Sequence, residues 1–263
     1  MRLDVGGNTF YIHESGVDNK NKSRPSLIFL HYFGGSARSW TEVIAQLEHD
    51  FHCIALDLRG FGLSNESNEN AASFTLEDYA DNLENLIAAL EINNFVVVGH
   101  SMGGKFALEF AARQPKNLKS LILIAPSPPT PEPISDDERK HQIESHGTRA
   151  AAIETVNKAT AFPLSETIFE RAVEDNLRTS ENAWRAWLET ESKVDISDSM
   201  VKIVAPALVV SGAKDEAIKT EVLERELMPF LNNSKLVKIP DAGHLLPLEV
   251  PDKVAELIRE FIS

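Results

Sequence analysis

Gly99-His100-Ser101-Met102-Gly103-Gly104 follows the apolar run Phe95-Val96-Val97-Val98 and leads into Lys105-Phe106-Ala107-Leu108-Glu109-Phe110-Ala111-Ala112, which Pro115 stops. Strand, tight turn and helix is the context in which a G-x-S-x-G segment becomes a nucleophile elbow. The turn lifts the serine hydroxyl clear of the sheet edge, and the flanking glycines let the backbone crowd itself. The helix start directs free N–H groups and the positive end of the helix dipole at charge forming beside the serine. Ser101 is therefore the candidate nucleophile.

Upstream, Gly6-Gly7 reads as a hairpin turn with Asn8 to His13 as the second strand. Ser26-Leu27-Ile28-Phe29-Leu30 and the run from Cys53 to Leu58 are apolar throughout, as strands covered on both faces are. Between them a helix is expected from about Arg38 to His49. Thr75-Leu76-Glu77-Asp78 resembles a capping box, and Leu76, Tyr79, Leu83, Leu86, Ile87 and Leu90 follow at helical spacing, with Asn93-Asn94 closing the helix. Leu118 to Ala125 is a further strand. This βαβαβ alternation predicts an α/β fold with a parallel sheet and helices on both faces.

Pro126, Pro128, Pro129, Pro131 and Pro133 then make a stiff exit from the sheet. From Ser135, the start of a second capping box ending at Glu138, to about Ser192 the segments are helical. Leu164, Ile168, Phe169, Ala172 and Val173 form one apolar stripe, and Trp184, Trp187 and Leu188 another. The expected organisation is a core of residues 1–127 and 201–263 with a helical cap, 128–200, over the C-terminal edge of the strands. Trp184 and Trp187 share a helix face, either lining a substrate pocket or packing the cap onto the core. The chain returns to the sheet at Pro206 to Gly212. A helix over Thr220 to Leu231, a last strand over Ser234 to Ile239 and a helix from Pro251 complete it, with Val254, Leu257, Ile258 and Phe261 on the last helix's inner face.

A serine hydroxyl needs a base to take its proton, and the base needs an orienting carboxylate. The chain has eight histidines. His13 precedes the parallel sheet, His49 and His52 flank a buried strand, and His141 and His146 sit in the cap. His31 opens the loop after its strand, and His100 adjoins the serine but must point elsewhere. His244, in Asp241-Ala242-Gly243-His244, lies just past the last strand at the edge that holds Ser101. The acid belongs between serine and histidine in chain order, after a strand. Asp215 is preferred, with Glu216 as its rival. Two N–H donors must face the oxyanion of a tetrahedral intermediate: Met102 supplies one, and Phe33, in the loop after Leu30, the other.

Net charge is −14, from 40 acidic and 26 basic residues. That balance disfavours nucleic acid and anionic membrane surfaces as partners. Cys53 is the one cysteine, in an apolar run, and reads as a small buried hydrophobe. No disulfide within the chain, no signal-like N-terminus and no run near the roughly 18 apolar residues of a membrane span predict a cytoplasmic protein. No histidine cluster has metal-ligand spacing, so neither metal nor cofactor is expected.

His31-Tyr32-Phe33-Gly34-Gly35, Asp57-Leu58-Arg59-Gly60-Phe61-Gly62-Leu63-Ser64, Gly99 to Gly104, Asp215 and Gly243-His244 together resemble the α/β-hydrolase superfamily. Within it, they are similar to the small capped serine esterases, lactonases and non-haem haloperoxidase-like hydrolases. The resemblance implies a mostly parallel eight-stranded sheet with the cap inserted between two strands. It implies hydrolysis of a small, mostly neutral ester or lactone through an acyl-enzyme on Ser101, with no cofactor. Tyr32, His100, Trp184 and Trp187 are the expected substrate contacts; Arg59 and its glycines match a motif of structural role. The family usually has glycine where this chain has Tyr32. Because tyrosine is disfavoured in a left-handed backbone, the loop is expected to differ locally. A serine elbow argues against the aspartate-dependent dehalogenases and epoxide hydrolases of the superfamily. A C–C hydrolase acting on a vinylogous diketone, and a ligand receptor with a retained triad, remain as alternatives. The partners expected are the small substrate and, at most, a second copy of the chain as a homodimer.

Overall fold

The computed structural model describes residues 1–66 and 74–262. Among them, eight strands form one sheet: β1 (Arg2–Val5), β2 (Asn8–Ser15), β3 (Ser26–Leu30), β4 (Cys53–Asp57), β5 (Phe95–His100), β6 (Leu118–Ile124), β7 (Ala207–Gly212) and β8 (Ser234–Ile239). Their order is β1-β2-β4-β3-β5-β6-β7-β8. The β1–β2 and β2–β4 pairs are antiparallel and all others parallel. The hairpin at Gly6-Gly7 is present, and both glycines have positive φ.

Side chains alternate across the sheet with period two, so each apolar strand feeds two cores. Ile28, Leu30, Phe95 and Val97 face a cluster completed by α2 (Leu76–Ala89) and α3 (Met102–Ala112). Leu27, Phe29, Val96 and Val98 face the opposite cluster, with Trp40, Val43, Ile44 and Leu47 of the segment ending in α1 (Thr41–Leu47) and Val254 and Ile258 of the helix Pro251–Ile262. Burial on both sides is why these strands carry no polar alternation.

Three helices differ most from the sequence reading. The Arg38–His49 helix is a 3₁₀ turn, Ala37–Trp40, followed by α1. Asn93-Asn94 does not end α2; the chain turns earlier, at Glu91, which takes a φ of 52°. The helix expected over Thr220–Leu231 stops as α8 (Thr220–Glu226), with a 3₁₀ turn over Met228–Phe230. Pro229 has no N–H to continue an α-helical ladder. The Thr75–Asp78 capping box is complete. At Ser135 only the serine side forms, and the Glu138 carboxylate accepts from Gln142 instead.

Between β6 and β7 lie α4 (Asp136–Ser145), α5 (Arg149–Ala159), α6 (Glu166–Leu177) and α7 (Glu181–Arg185), which continues into a π-helical turn over Ala186–Thr190. The Leu164–Val173 stripe packs on Tyr32, Leu245 and Leu248, and Trp184, Trp187 and Leu188 join the α2–α3 core. Polar clamps hold α6 to the core: Arg38 Nε and Ser36 Oγ donate to the Asp175 carboxylate at 2.9 and 2.8 Å, and Arg171 pairs with Glu42 at 2.6 Å. The chain order reverses between neighbours β3 and β5, so the loops leaving these strands diverge and open a crevice there.

Candidate active site

Ser101 stands between β5 and α3 with φ 52° and ψ −118°. A non-glycine residue holds such angles only when its surroundings impose them. Here the imposition is visible. Ser101 N–H donates to Ile124 O at 3.0 Å, and its carbonyl accepts from the N–H groups of Gly104, Lys105 and Ser127. A Cβ on Gly103 would stand 2.6 Å from the carbonyl oxygens of Leu30 and His31, and one on Gly99 would stand 2.5 Å from Gly103 O. Both glycines are therefore required for α3 to start so close to the sheet.

His244 follows β8 and sits against the insertion, its N–H donating to Ala159 O at 2.8 Å. Ser101 Oγ–H donates to His244 Nε2 at 2.8 Å, and His244 Nδ1–H donates to Asp215 Oδ2 at 2.7 Å. Asp215 Oδ1 accepts from the N–H groups of Ala217 and Ile218, both at 2.8 Å, which fixes the carboxylate. Glu216 is exposed and paired with Lys219, so it does not reach the imidazole. Burial works against protonation of His244. The Asp215 carboxylate outweighs it, with Glu132 and Glu249 adding, and the net pKa lies above the ordinary histidine value.

Tyr32, Phe33, Gly34 and Gly35 form a turn closed by Gly35 N–H to Tyr32 O at 3.0 Å. Gly34, with φ 78°, takes the left-handed position, so Tyr32 bears no left-handed strain. His31 Nδ1–H donates to Tyr32 O and its Nε2 accepts from Leu58 N–H, which ties the turn to the next strand's loop. Burial lowers the His31 pKa to about 4, keeping that ring neutral. Among the described residues the N–H groups of Phe33 and Met102 have no hydrogen-bond partner.

Ser101 and His244 open into a cavity of about 710 Å³. Tyr32, Phe33, Trp184 and Trp187 line it, and Phe33 packs on Trp184 with ring centroids 4.2 Å apart. The tryptophans thus pack the insertion onto the core and wall the cavity at once. His100 does not line it. Its ring is fully buried and its Nε2–H donates to His244 O at 2.8 Å, so it holds the histidine loop instead of meeting substrate.

Glu132 and Asn176 are among the lining residues that the sequence reading did not single out. Glu132 lies among the prolines after β6, and burial pushes its carboxyl above the usual carboxylate range. A lone carboxylate in that Pro-rich stretch was the available signal. Asn176, on α6, falls three and four residues beyond Val173 and Ala172, a polar residue on an otherwise apolar stripe. The basic residues nearest the motifs are engaged elsewhere. Arg38 pairs with Asp175 and Glu174, Lys105 Nζ donates to Thr130 O and Val194 O, Arg59 stacks on Phe74, and Lys214 pairs with Asp241.

A protein-family model described as alpha/beta hydrolase fold matches residues 25–153. Among curated proteins, the chain is 27% identical to an uncharacterized hydrolase, YugF, of Bacillus subtilis, over 100% of this chain and 97% of that one. It is 28% identical to Lipase 1 of Psychrobacter immobilis, over 94% of this chain and 80% of the lipase. Among solved structures, an esterase from Exiguobacterium antarcticum matches with a TM-score of 0.88 at 20% identity, covering 100% of this chain and 98% of its own. The enol-lactonase from Burkholderia xenovorans matches at 0.83 and 20% identity, covering 99% of each chain. At such identities the structural matches speak for the fold.

Proposed function

The chain has the α/β-hydrolase fold, and on that premise we propose that it is a serine hydrolase cleaving a carboxylic ester or lactone through an acyl-enzyme. The observation that carries this reading is the unbroken line Ser101 Oγ–His244 Nε2–Asp215 Oδ2, at 2.8 and 2.7 Å, opening into the cavity. Esterase, lipase and lactonase relatives support ester bonds as the target.

In this mechanism Ser101 Oγ attacks the carbonyl carbon while His244 Nε2 takes the hydroxyl proton. His244 Nδ1–H keeps its hydrogen bond to the Asp215 carboxylate, which fixes the tautomer and stabilises the imidazolium. The oxyanion faces the free N–H groups of Phe33 and Met102, the latter at the N-terminus of α3. When the C–O bond breaks, His244 gives its proton to the departing alkoxide. A water then attacks the acyl carbon, passing its proton to His244, which returns it to Ser101 Oγ as the Ser101–acyl bond breaks and the acid leaves.

The cavity volume suits an acyl or alcohol part larger than that of the smallest esters. The test joins labelling with turnover: a fluorophosphonate should modify Ser101 in the wild type, and a panel of acyl esters, aryl esters and lactones of graded length should be cleaved. Ser101→Ala should lose both, since removing a triad serine costs on the order of 10⁶ in rate. More than about a thousandth of the activity remaining would refute the assignment.

A further inference from the structure

Two polar groups packed against the turn that presents Phe33 N–H are left unused by the proposed reaction. Asn176 is 5% and Tyr32 6% exposed, and both line the cavity. Among the described residues neither the Asn176 carboxamide nor the Tyr32 hydroxyl has a hydrogen-bond partner. Both side chains pack against the same turn. A Cβ on Gly34 would stand 2.7 Å from Asn176 Nδ2 and 3.4 Å from Trp184, and one on Gly35 would stand 2.8 Å from the Tyr32 ring. Tyr32 also packs on Ala172 and Val173, one helical turn before Asn176. The two groups therefore share one wall, over the turn that holds the proposed oxyanion donor, amid Phe33, Trp184 and Ala172.

A purely alkyl chain filling this space would displace water from both groups and leave them unpaired, which is costly in a closed cavity. A ligand bearing its own donor and acceptor avoids that penalty. The leaving alcohol oxygen must face His244 Nε2 to receive its proton, so the wall over the oxyanion turn is left to the acyl part. We propose that Asn176 and Tyr32 form a hydroxyl-binding subsite, making esters or lactones of hydroxylated carboxylic acids, with the hydroxyl two or three carbons from the ester carbonyl, the preferred substrates. This rests on the ester-hydrolase reading and deepens it.

The test compares kcat/KM for ethyl 3-hydroxybutanoate, ethyl butanoate and 2-hydroxyethyl butanoate in the intact protein. Wild type should favour the 3-hydroxy ester over ethyl butanoate by about tenfold or more, the scale of one buried hydrogen bond kept against one lost. That ratio should fall towards one in Asn176→Leu, which keeps the side-chain shape, and fall partway in Tyr32→Phe. Fluorophosphonate labelling at Ser101 in each variant reports that the site is still assembled. A wild-type ratio near one, or a ratio unchanged in Asn176→Leu, overturns the subsite. So does a preference for 2-hydroxyethyl butanoate that depends on Asn176, because it would put the polar wall on the alcohol side. Cleavage of ethyl butanoate without discrimination sinks the subsite alone. No cleavage of any ester and no labelling sinks the hydrolase reading and the subsite with it.

Discussion

Asp215 and Glu216 are neighbours in sequence with opposite surroundings. Asp215 is 4% exposed and holds His244 Nδ1–H, whereas Glu216 pairs with Lys219 at 3.1 Å. Asp215→Asn should therefore lose about 10⁴ in kcat with thermal stability little changed, because the amide favours the wrong imidazole tautomer. Glu216→Gln should stay within about threefold, the range of a solvent-exposed charge; steady-state kinetics on both variants decide it. The pH profile belongs to the same residues. The base must be neutral, and its pKa is raised above 6.5, so kcat/KM should fall on the acid side through a midpoint above that value. Glu132 helps to hold the imidazolium charge. Glu132→Gln removes a negative charge, disfavours the protonated ring and should move that limb to lower pH. A limb that stays in place would deny the coupling.

At the scale of elements, the join between insertion and core depends on buried cations facing carbonyl oxygens. Arg139 of α4 is 5% exposed and donates to the carbonyls of Ile134, Glu132 and Leu188 and to Ser192 Oγ. It thereby ties the exit from β6 to the segment after α7. Lys105 of α3 plays a parallel part, bonded to Thr130 O and Val194 O, and burial lowers its pKa to about 8. Arg139→Met should cost about 2–4 kcal/mol, since several buried acceptors lose their donor together. Hydrogen exchange should quicken over residues 132–145 and 188–194 first, with the β3–β6 strands still protected. Uniform loosening of strands and insertion alike would show that Arg139 serves the whole fold instead of this join.

Taken whole, the molecule is acidic outside and, at the cavity, acidic inside. Glu132, Glu138, Glu154 and Glu216 line it, and Lys158, the lining's sole lysine or arginine among the described residues, is paired to Glu154 at 2.7 Å. A substrate carboxylate would enter without an open cationic partner, and desolvating it there is unfavourable. A neutral ester should exceed its analogue with a distal carboxylate by tenfold or more in kcat/KM, and added salt should narrow the gap by screening. A preference for the charged analogue would contradict this. No helix among the described residues is long and apolar enough to cross a membrane.

The amino-acid sequence alone determined the α/β architecture and the order of its catalytic candidates. Doubly covered strands, amphipathic helices and a glycine-flanked elbow are local patterns, written within ten or twenty residues. It also singled out Ser101, His244 and Asp215, because each follows its strand at the same sheet edge. The tertiary structure alone decided what else faces the cavity. Asn176 meets the turn at Gly34 across a gap of 142 residues in the chain (176 − 34). His100, adjacent to Ser101, turns away to bond His244 O. Tyr32 escapes left-handed strain because Gly34 takes the positive φ in its place. Such contacts depend on how the inserted helices dock over the strand ends, and docking leaves no period in the sequence from which it could be read.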